Sequence, residues 1–307
     1  MSDFFANGWL DRVQIGLFNQ QKTDAYRVYT DRNAWIERLG NDYLISHKDG
    51  ADLAQLQADL VEWISFAGSD LQRIYGRYLA RQNEERKAPD LLQGDLALPA
   101  ESVVRESGLL FGIDFSAGYS VGLFLDQRAN RAHLRDSPPA RTLNTFSYTC
   151  SFSVVAAAAG GKTVSIDLSA KSISRGKANF TLNSLSTEGH RFLADDALEV
   201  LPRLSRKKEL FDCIILDPPT FSRGAKGRKF QVEQNLGDLL HLALDLAAPR
   251  AKILLSTNCH RLDQEALLQI SRHELRVAQR RAEFFSTDPL PDFPPGEGAT
   301  TLWLLLD

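Results

Sequence analysis

The amino-acid sequence predicts a doubly wound, Rossmann-like α/β fold whose sheet ends in an antiparallel edge strand. Beyond residue 141, apolar runs of strand length alternate with helical patterns, which is typical of a mostly parallel sheet between helices. The last two predicted strands, 282–286 and 300–306, are joined by the Pro-rich DPLPDFPPGEGA and not by a helix. Because a parallel pair needs a long crossover connection, these two strands should pair antiparallel.

The predicted main domain occupies residues 126–307 and follows a β-hairpin extension at 99–125 and a small α+β domain at 1–98. In the main domain the hydrophobic periodicity predicts parallel strands and helices in alternation. The strands are 142–146, 163–167, 191–194, 211–217 and 252–257, and the helices are 151–159, 170–182, 197–204, 231–247 and 263–275.

The first hundred residues give a mixed pattern. Residues 27–46 predict short strands around polar turns, and apolar residues at helical spacing over 51–83 predict a helix. The segment 89–99, bounded by prolines, predicts a linker. Residues 103–125 predict two or three short strands broken at Ser-Gly and Ala-Gly turns.

Composition excludes several classes of protein. With 307 residues, 43% of them hydrophobic, and a net charge of −3, the chain is neither fibrous nor disordered, and bulk charge does not favour coating of nucleic acid. The longest apolar runs, about five to six residues, fall far short of the roughly 18 that span a membrane, and the start MSDFFANGWLD is acidic. Three widely spaced cysteines suggest neither disulfides nor zinc. We therefore expect a cytoplasmic protein without a metal.

Polar residues follow the predicted strands at the edge where open α/β sheets bind ligands. The small-residue turn 147–151, SYTCS, could hold an anion with backbone N–H groups, and Asp167 could accept hydrogen bonds from a ribose diol. Asp195 and Asp196 could reach an adenine amino group. Each of these features could instead be a turn or a helix cap. The sequence lacks GxGxxG and a P-loop, which weighs against NAD and ATP.

The strongest local signal is Asp217-Pro218-Pro219-Thr220-Phe221, which follows the apolar CIIL. Two prolines remove backbone donors and stiffen the chain, so the aspartate is held in place, while Phe221 offers a face on which a base could stack. The alternative is a rigid turn between a strand and a helix.

The sequence resembles the bacterial large-subunit ribosomal RNA methyltransferases of the class I, S-adenosylmethionine-dependent type. The resemblance covers residues 103–307, whereas the first hundred residues match only through FFAN and AYRVY. The motifs that carry it are DPPTF, LFLDQRANR (123–131), LNTFSYTCSFSVVAAAAGG (143–161), VSIDLSAKSISRGKANFTLN (164–183), LLSTN (254–258) and PLPDFP (289–294).

The resemblance implies S-adenosyl-L-methionine as the cofactor and RNA as the partner, with no membrane or metal. It implies that Asp217 lies beside the reactive methyl group and the target base, with Pro218 and Pro219, and that Thr220 and Phe221 bind the base. The cofactor contacts it implies are Phe146, Ser147, Tyr148, Thr149, Cys150 and Ser151 near the methionine, Asp167 at the ribose, Asp196 and Ala197 at the adenine, Asp217, and a lid of Phe124, Asp126 and Arg128.

Cys150 departs from the family, which usually has glycine at this position. A side chain there could narrow the methionine pocket or demand a strained backbone.

The target base is left open between guanine N7 and cytosine C5. Guanine N7 has a lone pair and needs only positioning, whereas cytosine C5 requires a cysteine thiolate that adds to C6. Cys259 lies where the cytosine branch carries its thiol, and His260 and Arg261 could activate it. LSTN with the basic His260 shortly after it, and DPPTFSR, are closer to the guanine branch, and Cys259 could also be inert.

Basic clusters support an RNA substrate. Arg223, Lys226, Arg228 and Lys229 crowd the segment after DPPTF, and Arg128, Arg131 and Arg135 precede the first strand of the main domain. Arg272, Arg276, Arg280 and Arg281 have no comparable location and are predicted to be surface. Two other classes remain open, a non-catalytic cofactor- or RNA-binding protein with this fold and a small-molecule methyltransferase.

Overall fold

The computed structural model describes residues 8–80, 84–224 and 229–307. The chain divides into two compact units. The N-terminal unit comprises Met1–Arg128 with Pro289–Glu297, and the C-terminal unit comprises Ala129–Asp288 with Gly298–Asp307. The PLPDFP segment, which the sequence places between two strands of the main sheet, therefore belongs to the N-terminal unit.

The N-terminal unit contains a five-stranded sheet in the order β1-β2-β3-β4-β5 and a separate hairpin, β6-β7. All paired strands are antiparallel except β3 and β4, which are parallel. The elements are α1 Arg12–Gln20, β1 Ala25–Thr30, β2 Ala34–Leu39, β3 Asp42–His47, α2 Leu53–Ala67, β4 Arg73–Tyr78, β5 Asp90–Gln93, β6 Glu101–Glu106 and β7 Leu109–Asp114.

Helix α2 carries the predicted apolar stripe but is shorter than predicted. It ends at Ala67 because Gly68 adopts the left-handed conformation of a helix C-cap, with φ of 63°. The chain then enters strand β4, so the prediction of a helix over 51–83 is wrong beyond Ala67. Trp63 is fully buried, and its indole donates a hydrogen bond to the Leu10 carbonyl over 3.1 Å.

The predicted linker at 89–99 is also wrong in part. Residues 90–93 form β5, which pairs antiparallel with β4 at the edge of the sheet. Leu92 lies over Gly76 of β4 so closely that a Cβ at position 76 would be 2.9 Å from a Leu92 methyl. The glycine thus makes room for the edge strand, a contact that the sequence pattern does not reveal.

The C-terminal unit is the predicted doubly wound sheet. Its seven strands run in the order β10-β9-β8-β11-β14-β16-β15, with β8 to β11 and β14 parallel and β16 antiparallel to both of its neighbours. The predicted antiparallel edge is therefore confirmed. The strands are β8 Arg141–Thr145, β9 Lys162–Asp167, β10 Arg191–Ala194, β11 Phe211–Leu216, β14 Ala247–Thr257, β15 Ala282–Phe285 and β16 Thr300–Leu306.

Helices cover this sheet and bury its apolar rows. Leu143, Ile214 and Ile253, on three adjacent parallel strands, are fully buried in the main core. The helices are α3 Arg128–Asp136, α4 Ser151–Ala158, α5 Ala170–Leu182, α6 Ala197–Arg206, α7 Val232–Leu244 and α8 Gln264–Val277. Among the residues that the structure describes, no helix is both long and apolar enough to cross a membrane.

One hairpin was not predicted. Strands β12 (Phe221–Arg223) and β13 (Lys229–Gln231) pair antiparallel between β11 and α7. The Val232 amide donates to the Thr220 carbonyl over 3.1 Å, which closes the base of the hairpin. Each strand has three residues, too few for an alternating pattern to be recognised.

Candidate active site

The loop between β8 and α4, residues 146–150, is the first component of the site, and we call it the cofactor loop. Phe146, Tyr148 and Cys150 have φ of 52°, 45° and 61°, so alternate residues of the loop are left-handed although none is glycine. Left-handed backbone at a non-glycine residue costs about 1–2 kcal/mol. Of the two consequences predicted for Cys150, the strained backbone is the one that the structure shows.

The Cys150 side chain is fully buried. Its sulfur lies in the space left by Gly176 of α5, where a Cβ would be 2.3 Å from Sγ. Sγ also lies 3.6 Å from the Ser147 hydroxyl. Burial raises the pKa of this thiol to about 11, so it is protonated at neutral pH.

Asp167, the last residue of β9, contacts the cofactor loop. One carboxylate oxygen accepts a hydrogen bond from the Tyr148 amide over 2.8 Å, and the other accepts from the Ser169 amide over 2.8 Å. Burial raises the pKa of Asp167, and these two amides lower it by a smaller amount. Each carboxylate oxygen can accept a second hydrogen bond, so the predicted contact with a ribose diol remains compatible with this geometry.

A cleft opens beside the cofactor loop. Phe146 and Phe230 form an aromatic pair with ring centroids 5.7 Å apart, and Asp196 supplies a polar group at the N-cap of α6. The cleft is lined by Phe146, Leu168, Asp196, Leu198, Ser222, Gly224 and Phe230. The sequence identified Phe146 and Asp196 as site residues, but not the apolar lining residues Leu168, Leu198 and Phe230.

Asp196 and Ala197 lie where the adenine contact was predicted, after β10. The Asp196 carboxylate accepts from the Leu198 amide over 3.0 Å, and Ala197 is buried. Asp195 instead pairs with Arg203, which lowers the pKa of its carboxyl. Of the two aspartates, only Asp196 lines the cleft.

The residues at this edge of the sheet are of the types that contact an adenosine moiety. Aromatic and aliphatic side chains form a cleft for a flat apolar ring, a carboxylate ends the adjacent strand, and the cofactor loop leads into the N-terminus of α4.

The DPPTF segment follows β11, the strand that pairs with β8. Asp217 is half-buried and Pro218 is buried, whereas Pro219 and Thr220 are exposed. Phe221 begins β12 and is 48% exposed. Three consecutive residues of this segment are thus exposed to solvent.

Cys259 lies after β14, the strand beside β11. It is 5% exposed, and its thiol donates to Oε1 of Glu233 over 3.4 Å. Arg261 donates to the other oxygen of the same carboxylate over 3.3 Å. The structure thus places an acid next to the thiol, where the sequence suggested His260 and Arg261. Glu233, 26 residues away along the chain, could not be linked to Cys259 from the sequence.

The predicted lid residues belong to the N-terminal unit. Phe124 is 43% exposed, and Asp126 lies in a single 3-10 turn at Leu125–Gln127. Arg128 is buried, forms an ion pair with Asp292 and donates to the Ala25 carbonyl. The guanidinium of Arg128 is therefore engaged inside its own unit.

The predicted RNA-contacting cations differ in their exposure. Arg223 and Lys229 are exposed and lie opposite each other in the hairpin β12-β13, while Lys226 and Arg228 lie outside the described residues. Arg128 and Arg131 are buried, which corrects the prediction that they face RNA phosphates, and Arg135 is exposed beside Asp136.

Comparison with known proteins gives a consistent result. The family of S-adenosylmethionine-dependent methyltransferases matches residues 44–306. YwbD of Bacillus subtilis is 36% identical over 266 residues, which is 80% of this chain and 64% of that protein. Ribosomal RNA large subunit methyltransferase I of Aeromonas salmonicida is 35% identical over 174 residues, 56% of this chain and 43% of that enzyme. The chain thus spans less than two thirds of the length of these relatives.

The fold has a close match among solved structures. SMU.776, crystallised as a complex with SAH, aligns with a TM-score of 0.78 and 23% identity over 97% of this chain and 82% of that one. The match extends over both units. Because the family model matches residues 44–306, most of its length, the chain belongs to the S-adenosylmethionine-dependent methyltransferase family, and S-adenosylmethionine is its cofactor.

Proposed function

We propose that this chain methylates a base in large-subunit ribosomal RNA, and that the acceptor atom is a ring nitrogen, guanine N7, in preference to cytosine C5. A ribosomal substrate would place the reaction in the cytoplasm. The N-terminal unit, which carries no part of the cleft described above, would orient the substrate.

An RNA substrate is supported by the names of the relatives and by the surface of the C-terminal unit. The relative from Aeromonas salmonicida is a ribosomal RNA large subunit methyltransferase. Phe221 offers an exposed ring for stacking, and Arg223 and Lys229 place two exposed cations on the same hairpin. Stacking surfaces next to cations are the usual means of holding an unpaired base and its phosphates.

The cofactor supplies an activated methyl group on a sulfonium. The residues of the chain have to hold it, align the acceptor atom and exclude water. Asp167, Asp196 and the cofactor loop would hold the adenosine and methionine ends. Asp217, held by the rigid Pro218-Pro219 pair, would fix the base with its ring nitrogen in line with the methyl group.

The state of Cys259 is the observation that carries the choice of atom. Methylation at cytosine C5 needs a free thiolate within bonding distance of C6. The sulfur is instead almost completely buried and lies 3.4 Å from a carboxylate oxygen of Glu233. A ring nitrogen with its own lone pair needs no such nucleophile, so this arrangement favours guanine N7.

The test is identification of the methylated nucleoside. The protein is incubated with labelled S-adenosylmethionine and ribosomal RNA from cells that lack it, and the labelled nucleosides are identified by mass spectrometry. We expect 7-methylguanosine. Labelled 5-methylcytidine would refute the choice of atom, and RNA without label would refute the substrate.

Two cysteine variants separate the mechanisms. Cys259→Ala should retain turnover within about threefold, because loss of one weak hydrogen bond changes little. Cys213→Ala is the matched control, since Cys213 is a fully buried core residue of β11 with no place in either mechanism. Loss of turnover in Cys259→Ala alone would indicate the thiol mechanism.

A further inference from the structure

The strain in the cofactor loop needs an external support. Three of its five residues are left-handed without being glycine. Such conformations persist only where the surrounding structure holds them. Asp167 holds one of them through the Tyr148 amide, and within the loop the Cys150 amide donates to the Ser147 carbonyl over 2.7 Å.

Helix α5 contacts those residues in turn. The Asn179 side chain, 2% exposed, donates to the Thr149 carbonyl over 2.9 Å. Gly176 leaves the space that the Cys150 sulfur fills. Arg175 reaches the Tyr148 hydroxyl over 3.4 Å.

These contacts come from one side of the helix, because positions 175, 176 and 179 are neighbours on a helical surface. We propose that this side of α5, which we call the α5 brace, positions the cofactor loop, and that Cys150 and Gly176 act as a fitted pair. The inference rests on the assignment of the cofactor loop to S-adenosylmethionine.

The pair explains how a side chain is accommodated at position 150, where the related family usually has glycine. Its side chain is directed into the helix and occupies the volume that a larger residue at 176 would take. A glycine at 150 would relax the backbone but leave a void, and a side chain at 176 would push the loop out of place. The two positions therefore have to change together.

A pair of substitutions tests this coupling through binding of S-adenosylhomocysteine, measured by calorimetry. Gly176→Ala places a methyl group against the sulfur and should weaken binding about tenfold, as overpacking at a rigid site does. Adding Cys150→Gly removes the sulfur and should restore affinity to within about threefold of the wild type, which is the signature of coupled residues.

The control is Gly16→Ala in α1, where a Cβ meets no atom within 4 Å. It makes the same substitution inside a helix and should leave affinity unchanged. The inference is overturned if Gly176→Ala binds like the wild type, or if the double variant binds as weakly as Gly176→Ala.

Steady-state kinetics distinguish positioning from a general loss of structure. Gly176→Ala should raise KM for S-adenosylmethionine about tenfold and leave kcat within about twofold, since saturating cofactor restores the loop. An equal fall in kcat would contradict a positioning role.

A second variant covers the case in which Gly176→Ala does not fold. Asn179→Ala removes the donor to the Thr149 carbonyl without adding bulk and should also weaken binding about tenfold. Asn183→Ala is its matched control, because that side chain donates to the Asn179 carbonyl and not to the loop. Equal affinities of the two variants would overturn the inference.

Failure of the proposed function is distinguishable from failure of the α5 brace. A protein that binds S-adenosylhomocysteine but methylates no RNA leaves the α5 brace intact. A wild-type protein that does not bind it overturns the brace.

Discussion

The loops that follow β8 and β11 begin at the same edge of one sheet but are stabilised in opposite ways. The cofactor loop is buried and strained, and it depends on hydrogen bonds from Asp167 and Asn179. The DPPTF segment is stiffened covalently by two prolines and exposes Phe221. A small cofactor can be enclosed by side-chain contacts, whereas a polymer needs a rigid face that is open to solvent.

The first prediction concerns Asp217, which follows β11 and which we propose to lie beside the reacting atoms. Asp217→Ala should lower kcat by about 100- to 1,000-fold, because the acceptor atom loses the group that aligns it. Binding of S-adenosylhomocysteine should weaken by less than about tenfold, since Asp167 and the cleft are intact. A quench-flow measurement of methyl transfer to RNA checks the rate, and full activity of the folded variant would contradict the assignment.

The second prediction concerns the cofactor side alone. Asp167→Asn replaces a charged acceptor by a neutral one and should weaken binding of S-adenosylhomocysteine by about 10- to 100-fold. Asp212→Asn is the control. Asp212 lies near the start of β11, away from the end that the DPPTF segment follows, and its carboxylate accepts a hydrogen bond from the Arg141 amide. Equal effects of both variants would show that the loss is not local.

Asp167 should make cofactor affinity and protein stability depend on pH in opposite directions. Burial raises the pKa of Asp167 above its usual value, so the carboxyl is protonated, and cofactor affinity falls, as pH decreases through that raised pKa. In the free protein the folded state binds more protons than the unfolded state in this range, so the contribution of Asp167 to stability decreases as pH rises. Titration calorimetry and thermal unfolding at several pH values, compared with Asp167→Asn, measure both trends. A pH-independent affinity would exclude an ionised Asp167 from the site.

The comparison also shows what the sequence could predict. The positions of Asp167 and Asp217 follow from a general rule, since parallel strands place their carboxyl ends at one edge. In the cofactor loop only Cys150 carried a signal, because the related family usually has glycine there, whereas the left-handed backbone at Phe146 and Tyr148 had none. Phe230 was missed since the hairpin that delivers it to the cleft has strands of three residues, and the Glu233–Cys259 contact joins elements that only the tertiary fold brings together.

The third prediction separates the two aromatic residues of the hairpin. Phe221 is exposed, so Phe221→Ala should raise KM for RNA about tenfold through loss of stacking and leave cofactor affinity unchanged. Phe230 is buried in the cleft, so Phe230→Ala should weaken cofactor binding instead. Phe221→Tyr keeps the ring and should behave like the wild type. If both alanine variants changed only KM for RNA, or only cofactor affinity, the proposed separate roles of Phe221 and Phe230 would be wrong.

The smallest effect is expected from the cations of the hairpin. Arg223→Ala with Lys229→Ala removes two exposed charges that lie opposite each other. If both contact phosphates, RNA affinity should fall several-fold at low salt, and the slope of log affinity against log salt should decrease by about two, because each neutralised phosphate releases its counterion.

The matched control for this pair is Arg272→Ala with Arg276→Ala on α8, which removes the same charge from exposed positions of the same unit. A change in slope confined to the hairpin pair would place the RNA backbone beside Phe221. The hairpin would then contact the cofactor through Phe230 and the RNA through Phe221, Arg223 and Lys229. Equal slopes for both pairs would mean that the cations act only through net charge. In that case the exposed DPPTF face, and not the charge beside it, would have to account for recognition of the polymer.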